Sequence, residues 1–195
     1  MLNIFSLFLA SCYLLGSINS AIISCFLLRL PSPTTIGSGN PGATNILRFG
    51  AKKAAIATLF VDILKGFFPV IIVSTLELNT SYLTYIGLSL VLGHVFPIFF
   101  KFKGGKGVAT FLGVILAFDW LIGSIFLITW LAVVFVTRYA SLSSILATTI
   151  SSIFLLFYIN SNVALPFFIS AFIIILRHYQ NVERLLLKTE HRIRN

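Results

Sequence analysis

The chain has 195 residues, 58% of them hydrophobic and only 10% charged, with a mean hydropathy of +1.03. Soluble domains carry about 25% charged residues, so a water-soluble protein is excluded. A net charge of +9 therefore has no soluble basic domain through which to bind nucleic acid. Apolar runs of transmembrane length define an all-α polytopic integral membrane protein, read as a single membrane-embedded domain over 1–195.

The first apolar segment covers about Leu2 to Leu28. It lacks a leading basic region and a small-residue cleavage pattern, so it is expected to be a first span rather than a removable signal. Cys12 and Cys25 on one such helix would stand roughly 20 Å apart, too far for a disulfide. A polar loop from Arg29 to Lys53 follows, with Pro31 and Pro33 blocking helix continuation.

This loop contains Gly37-Ser-Gly-Asn-Pro-Gly-Ala-Thr-Asn-Ile-Leu-Arg48. Its glycines let backbone N–H groups approach an anion. Ser38, Asn40, Thr44 and Asn45 add hydroxyl and amide groups, and Arg48 adds a permanently charged fork suited to phosphate. Gly37-x-Gly39-x-x-Gly42 matches a dinucleotide fingerprint in spacing only. That motif needs a preceding strand, and a membrane helix with a proline-rich loop precedes this one.

The second segment, about Ala54 to Leu76, holds Asp62 and Lys65 three residues apart. Charges inside a span mark a functional site or a structural ion pair. A polar turn from Glu77 to Ser81 leads to a third segment, about Tyr82 to Phe100, containing His94 as a packed, hydrogen-bonded residue. The basic loop 101–107 then presents Gly104 and Gly105 before Lys106 and Gly107 after it, which suggests close approach of a ligand. It lacks Walker A spacing.

Val108 to Val136 is interrupted by Asp119, and Ile145 to Leu176 by Asn160-Ser-Asn162. Each region is one long span or a hairpin. Charge decides between them. With two hairpins and the N-terminus outside, Arg29, Arg48, Lys52, Lys53, the lysines of 101–106, Arg138, Arg177, Arg184, Lys188, Arg192 and Arg194 all face the cytoplasm. Glu77, Asp119 and the Asn160 turn stay outside, as the positive-inside rule requires. Seven transmembrane helices, with the N-terminus outside and the C-terminus cytoplasmic, are therefore expected. Some are short: Val108 to Phe118 spans only about 16 Å of a roughly 30 Å core, so it must be sheltered by neighbours, tilted, or set where the bilayer is thinned.

That topology gathers every polar cluster on one side. Arg138-x-x-Ser141-x-x-Ser144 opens a helix, where either serine also suits an N-cap. In Arg177-His178-x-x-Asn181-x-x-Arg184, helical spacing puts Arg177, Asn181 and Arg184 on one face with His178 at its edge. Together these make a site for more than one phosphate. No metal-ligand set or nucleophile elbow is present in the sequence, and no well-placed carboxylate base is expected.

Taken jointly, Ser38-Gly-Asn-x-Gly-Ala-Thr-Asn-x-x-Arg48, Gly93-His-x-x-Pro-x-Phe-x-x-Phe-Lys-Gly-Gly-Lys-Gly107, Arg138-x-x-Ser-x-x-Ser144 and Arg177-His-x-x-Asn-x-x-Arg184 resemble the bacterial acyl-phosphate:glycerol-3-phosphate acyltransferase family (PlsY). The similarity spans nearly the whole chain and departs at Lys188, where a glycine is common before the terminal Glu190. It implies acyl transfer from acyl phosphate to the sn-1 hydroxyl of glycerol-3-phosphate in the bacterial inner membrane, giving lysophosphatidic acid at a cytoplasmic-side site. Neither a cofactor nor a metal, coenzyme A or acyl carrier protein is implied. The matching positions are Ser38, Arg48, Lys106, His178 and Asn181 as catalytic residues. Gly39, Asn40, Gly42, Thr44, Asn45, Gly104, Gly105, Arg138, Ser141 and Ser144 are the expected substrate-binding set. A transporter of a phosphate ester is the alternative class, but it would need related halves, and no repeat is visible.

Overall fold

The computed structural model describes residues 2–76 and 79–193. Glu77 of the polar turn and Arg194 of the basic tail lie outside the described residues. Among the described residues every regular element is helical.

The first expected span is two helices, α1 (Leu2–Gly16) and α2 (Ser20–Leu27), meeting at 42°. Asn19 Oδ1 accepts the Ile22 N–H at 3.1 Å and starts α2 afresh. A side-chain acceptor of this kind offers the backbone an alternative to helix continuation. The break frees the Gly16 and Ile18 carbonyls, and both are taken by Lys65 Nζ, at 3.2 and 2.9 Å. Lys65 also pairs with Asp62 at 2.8 Å. This ion pair on α4 (Lys52–Ser74) thus stitches a broken helix to its neighbour. Cys12 and Cys25 are buried free thiols.

Between α2 and α4 the polar loop carries one short helix, α3 (Ala43–Arg48). Next come α5 (Thr80–Val95) and a 3-10 turn at Ile98–Phe100. The two ambiguous apolar regions are both helix pairs. Asp119 alone separates α6 (Val108–Phe118) from α7 (Trp120–Thr137), its carboxylate accepting the N–H groups of Leu121 at 2.8 Å and Ile122 at 3.1 Å. Gly123 then lies against Leu116 as α7 folds back. Asn160 does the same work between α8 (Ala140–Tyr158) and α9 (Ser161–Leu176).

Shelter for the short α6 comes mainly from α4. Gly66 lies against the Thr110 carbonyl, and Gly113 against the Ile63 carbonyl and the Phe67 N–H. Small residues permit such backbone contact where lipid supplies no hydrophobic drive and packing alone holds helices together. Phe111, buried in α6, meets Phe126 and Phe167 edge-on at centroid distances of 6.2 and 6.4 Å. Among the described residues four helices are long and apolar enough to cross a bilayer, or up to six if each bent pair is one span.

Candidate functional site

The 37–48 stretch is organised from within by the Asn45 side chain, which is 3% exposed. Its Oδ1 accepts the Ser38 N–H at 3.0 Å. Its Nδ2 donates toward the carbonyls of Pro33, Ile36 and Asn40 at 2.9 to 3.1 Å. Gly37 stands at φ +56 with Asn45 Oδ1 where a Cβ would be, so both its conformation and its neighbour demand glycine. Asn45 therefore spends its hydrogen bonds on the loop and shapes the site.

The chain's C-terminal part closes over this loop. A bend of 51° separates α9 from α10 (Tyr179–Leu186), so Arg177 does not share a helix face with Asn181 and Arg184 as the spacing suggested. Arg177 Nη2 instead donates to the Gly104 carbonyl at 3.1 Å. Beyond α10, Lys188 adopts φ +57 and turns the chain back on itself, the N–H groups of Thr189 and Glu190 donating to the Arg184 carbonyl.

That turn delivers Glu190, whose side chain has 0% exposure. Its Oε2 accepts from Arg184 Nε at 2.8 Å. Its Oε1 accepts from Asn181 Nδ2 at 2.9 Å, Ser141 Oγ at 3.0 Å and Arg48 Nη2 at 3.4 Å. Burial alone would raise its pKa, but these hydrogen bonds outweigh it and hold the carboxyl below its ordinary value. A carboxylate thus stands inside the site, where the sequence suggested none. With its oxygens occupied it acts as a hub of acceptors, not as a free base. Ser141 and Ser144 do not cap α8 either: the N-cap is Tyr139. Ser144 Oγ donates to the Ala140 carbonyl at 2.8 Å and accepts from Trp130 Nε1 at 3.1 Å.

Lys106 Nζ donates to Asn181 Oδ1. Burial, joined by the guanidinium charges of Arg184, Arg48 and Arg177, pushes its pKa down to about 8 against the opposing pull of Glu190. Buried His178 is driven down to about 4, first by burial and then by the Lys106 charge. Its Nδ1 sits 2.7 Å from the Ile174 carbonyl, which can only accept. The ring is therefore neutral with its proton on Nδ1, leaving Nε2 as a free acceptor.

Two cavities meet here. The first, about 290 Å³, brings together Ser38, Asn40, Gly42, Thr44, Asn45, Arg48, Lys106, Ser141, Ser144, His178, Asn181 and Glu190. Its other wall is apolar, formed by Leu59 and Ile63 of α4, Leu112 of α6, and Phe126, Leu127, Trp130 and Leu131 of α7. Leu59, Leu127 and Leu131 also reach the outer surface of the helices, so this wall faces lipid. The second cavity shares Ser38, Asn40, Lys106 and Asn181 with the first. It adds Gly39, Gly104, Lys101, Lys103, Arg177 and Arg184.

Arg138 and Gly105 line neither cavity. The Arg138 carbonyl accepts the Ile193 N–H at 2.8 Å and so tethers the tail. Gly104 and Gly105 both admit close packing of protein: the His94 carbonyl and Pro97 fill the Cβ position of the former, which also lines the second cavity, and the His94 ring and Pro41 carbonyl that of the latter. The sequence left Glu190 and Trp130 outside the site, read Asp62 as either a functional residue or half of an ion pair, and took His94 as packed; Asp62 and His94 both line the first cavity. A glutamate just past the helix that carries Asn181 and Arg184 was the one legible hint.

A family profile described as glycerol-3-phosphate acyltransferase matches residues 6–188. The glycerol-3-phosphate acyltransferase of Francisella tularensis subsp. tularensis is 53% identical over 181 residues, covering 93% of this chain and 89% of that protein. Crystal structures of PlsY, an integral membrane glycerol 3-phosphate acyltransferase, superpose with TM-scores of 0.91 in the glycerol 3-phosphate form and 0.88 in the lysophosphatidic acid form. Both are 40% identical and cover 96% of this chain and 94% of theirs. With its four motifs drawn around one pair of cavities, the chain belongs to the glycerol-3-phosphate acyltransferase family.

Proposed function

We propose that this chain moves a fatty acyl group from acyl phosphate to the sn-1 hydroxyl of glycerol-3-phosphate, giving lysophosphatidic acid and inorganic phosphate. The observation that carries the reading is the junction of two unlike cavities at Lys106 and Asn181. A lipid-borne acyl chain suits the apolar wall between α4, α6 and α7. A water-soluble phosphate ester suits the cation-lined side.

Acyl phosphate is a mixed anhydride and already activated, so no acyl-enzyme is needed. The glycerol hydroxyl oxygen attacks the acyl carbonyl carbon, the bond from that carbon to the bridging phosphate oxygen breaks, and the hydroxyl proton passes to a phosphate oxygen. Lys106 and Arg48 neutralise phosphoryl oxygens as charge builds on the departing phosphate. Asn181 aims the Lys106 ammonium, and His178 Nε2 accepts a hydrogen bond from the attacking hydroxyl and orients it. A histidine held near 4 is a weak base at neutral pH, which favours a substrate phosphate as the proton's destination. Ser38, Gly39, Asn40, Gly42 and Thr44 form the phosphate-facing rim. Asn45, Gly104, Gly105, Arg138, Ser141 and Ser144 shape it.

The reading needs no cofactor, metal, coenzyme A or acyl carrier protein; its partners are the two substrates and membrane lipid. It places one domain in the bacterial inner membrane as seven segments, the N-terminus outside and the site on the cytoplasmic side. Support comes from the two helix pairs at 108–137 and 140–176, the arrangement needed for the basic loops to share one face under the positive-inside rule.

Purified protein given acyl phosphate and glycerol-3-phosphate alone is expected to release phosphate and lysophosphatidate in equal amounts. Folded protein that yields no lysophosphatidate under those conditions rejects the reading.

A further inference from the structure

The cavity floor carries a polar group that the reaction above does not use. Asp62 of α4 and His94 of α5 both line the first cavity. His94 Nδ1 lies 3.5 Å from Asp62 Oδ1 and 3.2 Å from Thr110 Oγ1. Asp62 is itself fixed by Lys65 at 2.8 Å, and Lys65 by the two carbonyls at the α1–α2 break. The carboxylate and ammonium of this group are buried: Asp62 is 3% and Lys65 7% exposed. Ionisable groups are expensive at this depth and are retained for a task.

The other edge of the His94 ring shows the task. His94 Nε2 occupies the space where Gly105 would carry a Cβ, and the His94 and Val95 carbonyls crowd Gly104 in the same way. Arg177 Nη2 donates to the Gly104 carbonyl at 3.1 Å. The Gly104-Gly105 backbone is thus held by both the imidazole and a guanidinium. Its next residue is Lys106, two positions before α6 begins at Val108.

We infer that Asp62 and His94 are positioning residues that set the height of the Lys106 ammonium in the site, through contact of the His94 ring with the Gly104-Gly105 backbone. The inference rests on the acyltransferase reading and extends it to two residues within the membrane segments. A charge held in a dry site acts through its placement, and a 1 Å error in a catalytic group costs on the order of 10²-fold in rate. The Asp62–Lys65 pair supplies a fixed reference, because neither charge can leave its partner without being stranded.

The test is acyl-phosphate-dependent lysophosphatidate formation by purified protein, with wild type as control. An inactive wild type would count against the acyltransferase reading; only with an active wild type do the variants bear on this inference. Asp62→Asn and His94→Gln are each expected to lower kcat at least tenfold while KM for acyl phosphate stays within about twofold. Combined with Lys106→Arg, either change is expected to cost much less than it does alone, because a misplaced side chain has no placement left to lose. Asp62→Asn strands Lys65, so Asp62→Asn/Lys65→Met serves as a second variant that removes both charges and keeps the core neutral. It is expected to show the same loss in kcat if His94→Gln does. Unchanged kcat in folded His94→Gln, or losses that multiply fully with Lys106→Arg, would overturn the inference.

Discussion

Glu190 Oε2 accepts the Arg184 Nε–H at 2.8 Å, from a carboxylate whose side chain is wholly buried. The same group gathers Arg48, Ser141 and Asn181, residues that reach it from α3, α8 and α10. Removing its charge leaves two arginines partly uncompensated beside Lys106. Glu190→Gln is expected to lower stability by about 3 kcal/mol, the lower end of the cost of breaking a buried pair, since both arginines keep some exposure. The pH dependence follows from the lowered pKa. The carboxylate contributes fully above its ordinary value of 4.5, and that contribution is lost as pH falls through the depressed one. Thermal unfolding in detergent below pH 4.5 should therefore steepen in wild type and not in Glu190→Gln.

Lys106 sets a limit at the opposite end. Its pKa near 8 means the ammonium is lost as pH rises through that value in the free enzyme. A profile of kcat/KM is expected to fall above about pH 8, since that parameter reports the free enzyme. Lys106→Arg should remove this limb whatever its remaining activity, because a guanidinium stays charged throughout.

For His178 the expectation concerns what does not happen. With its pKa near 4 and Nδ1–H donated to Ile174, the ring titrates well below the working range. His178→Gln should retain turnover with an altered KM for glycerol-3-phosphate. Activity reduced to background with binding intact would instead make histidine the essential base.

Lys188 occupies left-handed backbone at φ +57, where a side chain costs roughly 1–2 kcal/mol that glycine avoids. Lys188→Gly is expected to stabilise the protein by about 1 kcal/mol, some of the gain being offset by glycine's greater freedom when unfolded. Chemical denaturation should register this as a higher midpoint at unchanged activity.

The helical membrane class and both interruptions at Asp119 and Asn160 were legible because a polar residue inside an apolar run has few places to go. The break at Asn19 was not, since Ser17-Ile-Asn19 reads as mildly polar sequence within a long span. Its cause is a capping bond together with a lysine 46 residues downstream in sequence that satisfies the freed carbonyls. Residue chemistry in the 37–48 stretch pointed to an anion site, yet it could not separate Arg48, which faces the cavity, from Asn45, which holds the loop. Glu190 escaped notice because its partners lie on three separate elements. The double glycine before Lys106 suggested close approach of a ligand; it also admits His94, a packing partner that spacing alone does not reveal.

Lysophosphatidate formation by Arg48→Ala and Lys106→Ala, measured beside their unfolding curves, tests the central claim of one shared phosphoryl site most directly. Each variant should still unfold cooperatively while losing at least 10²-fold in kcat, the cost of deleting one preorganised charge-stabilising group. Normal turnover in either folded variant would contradict the account.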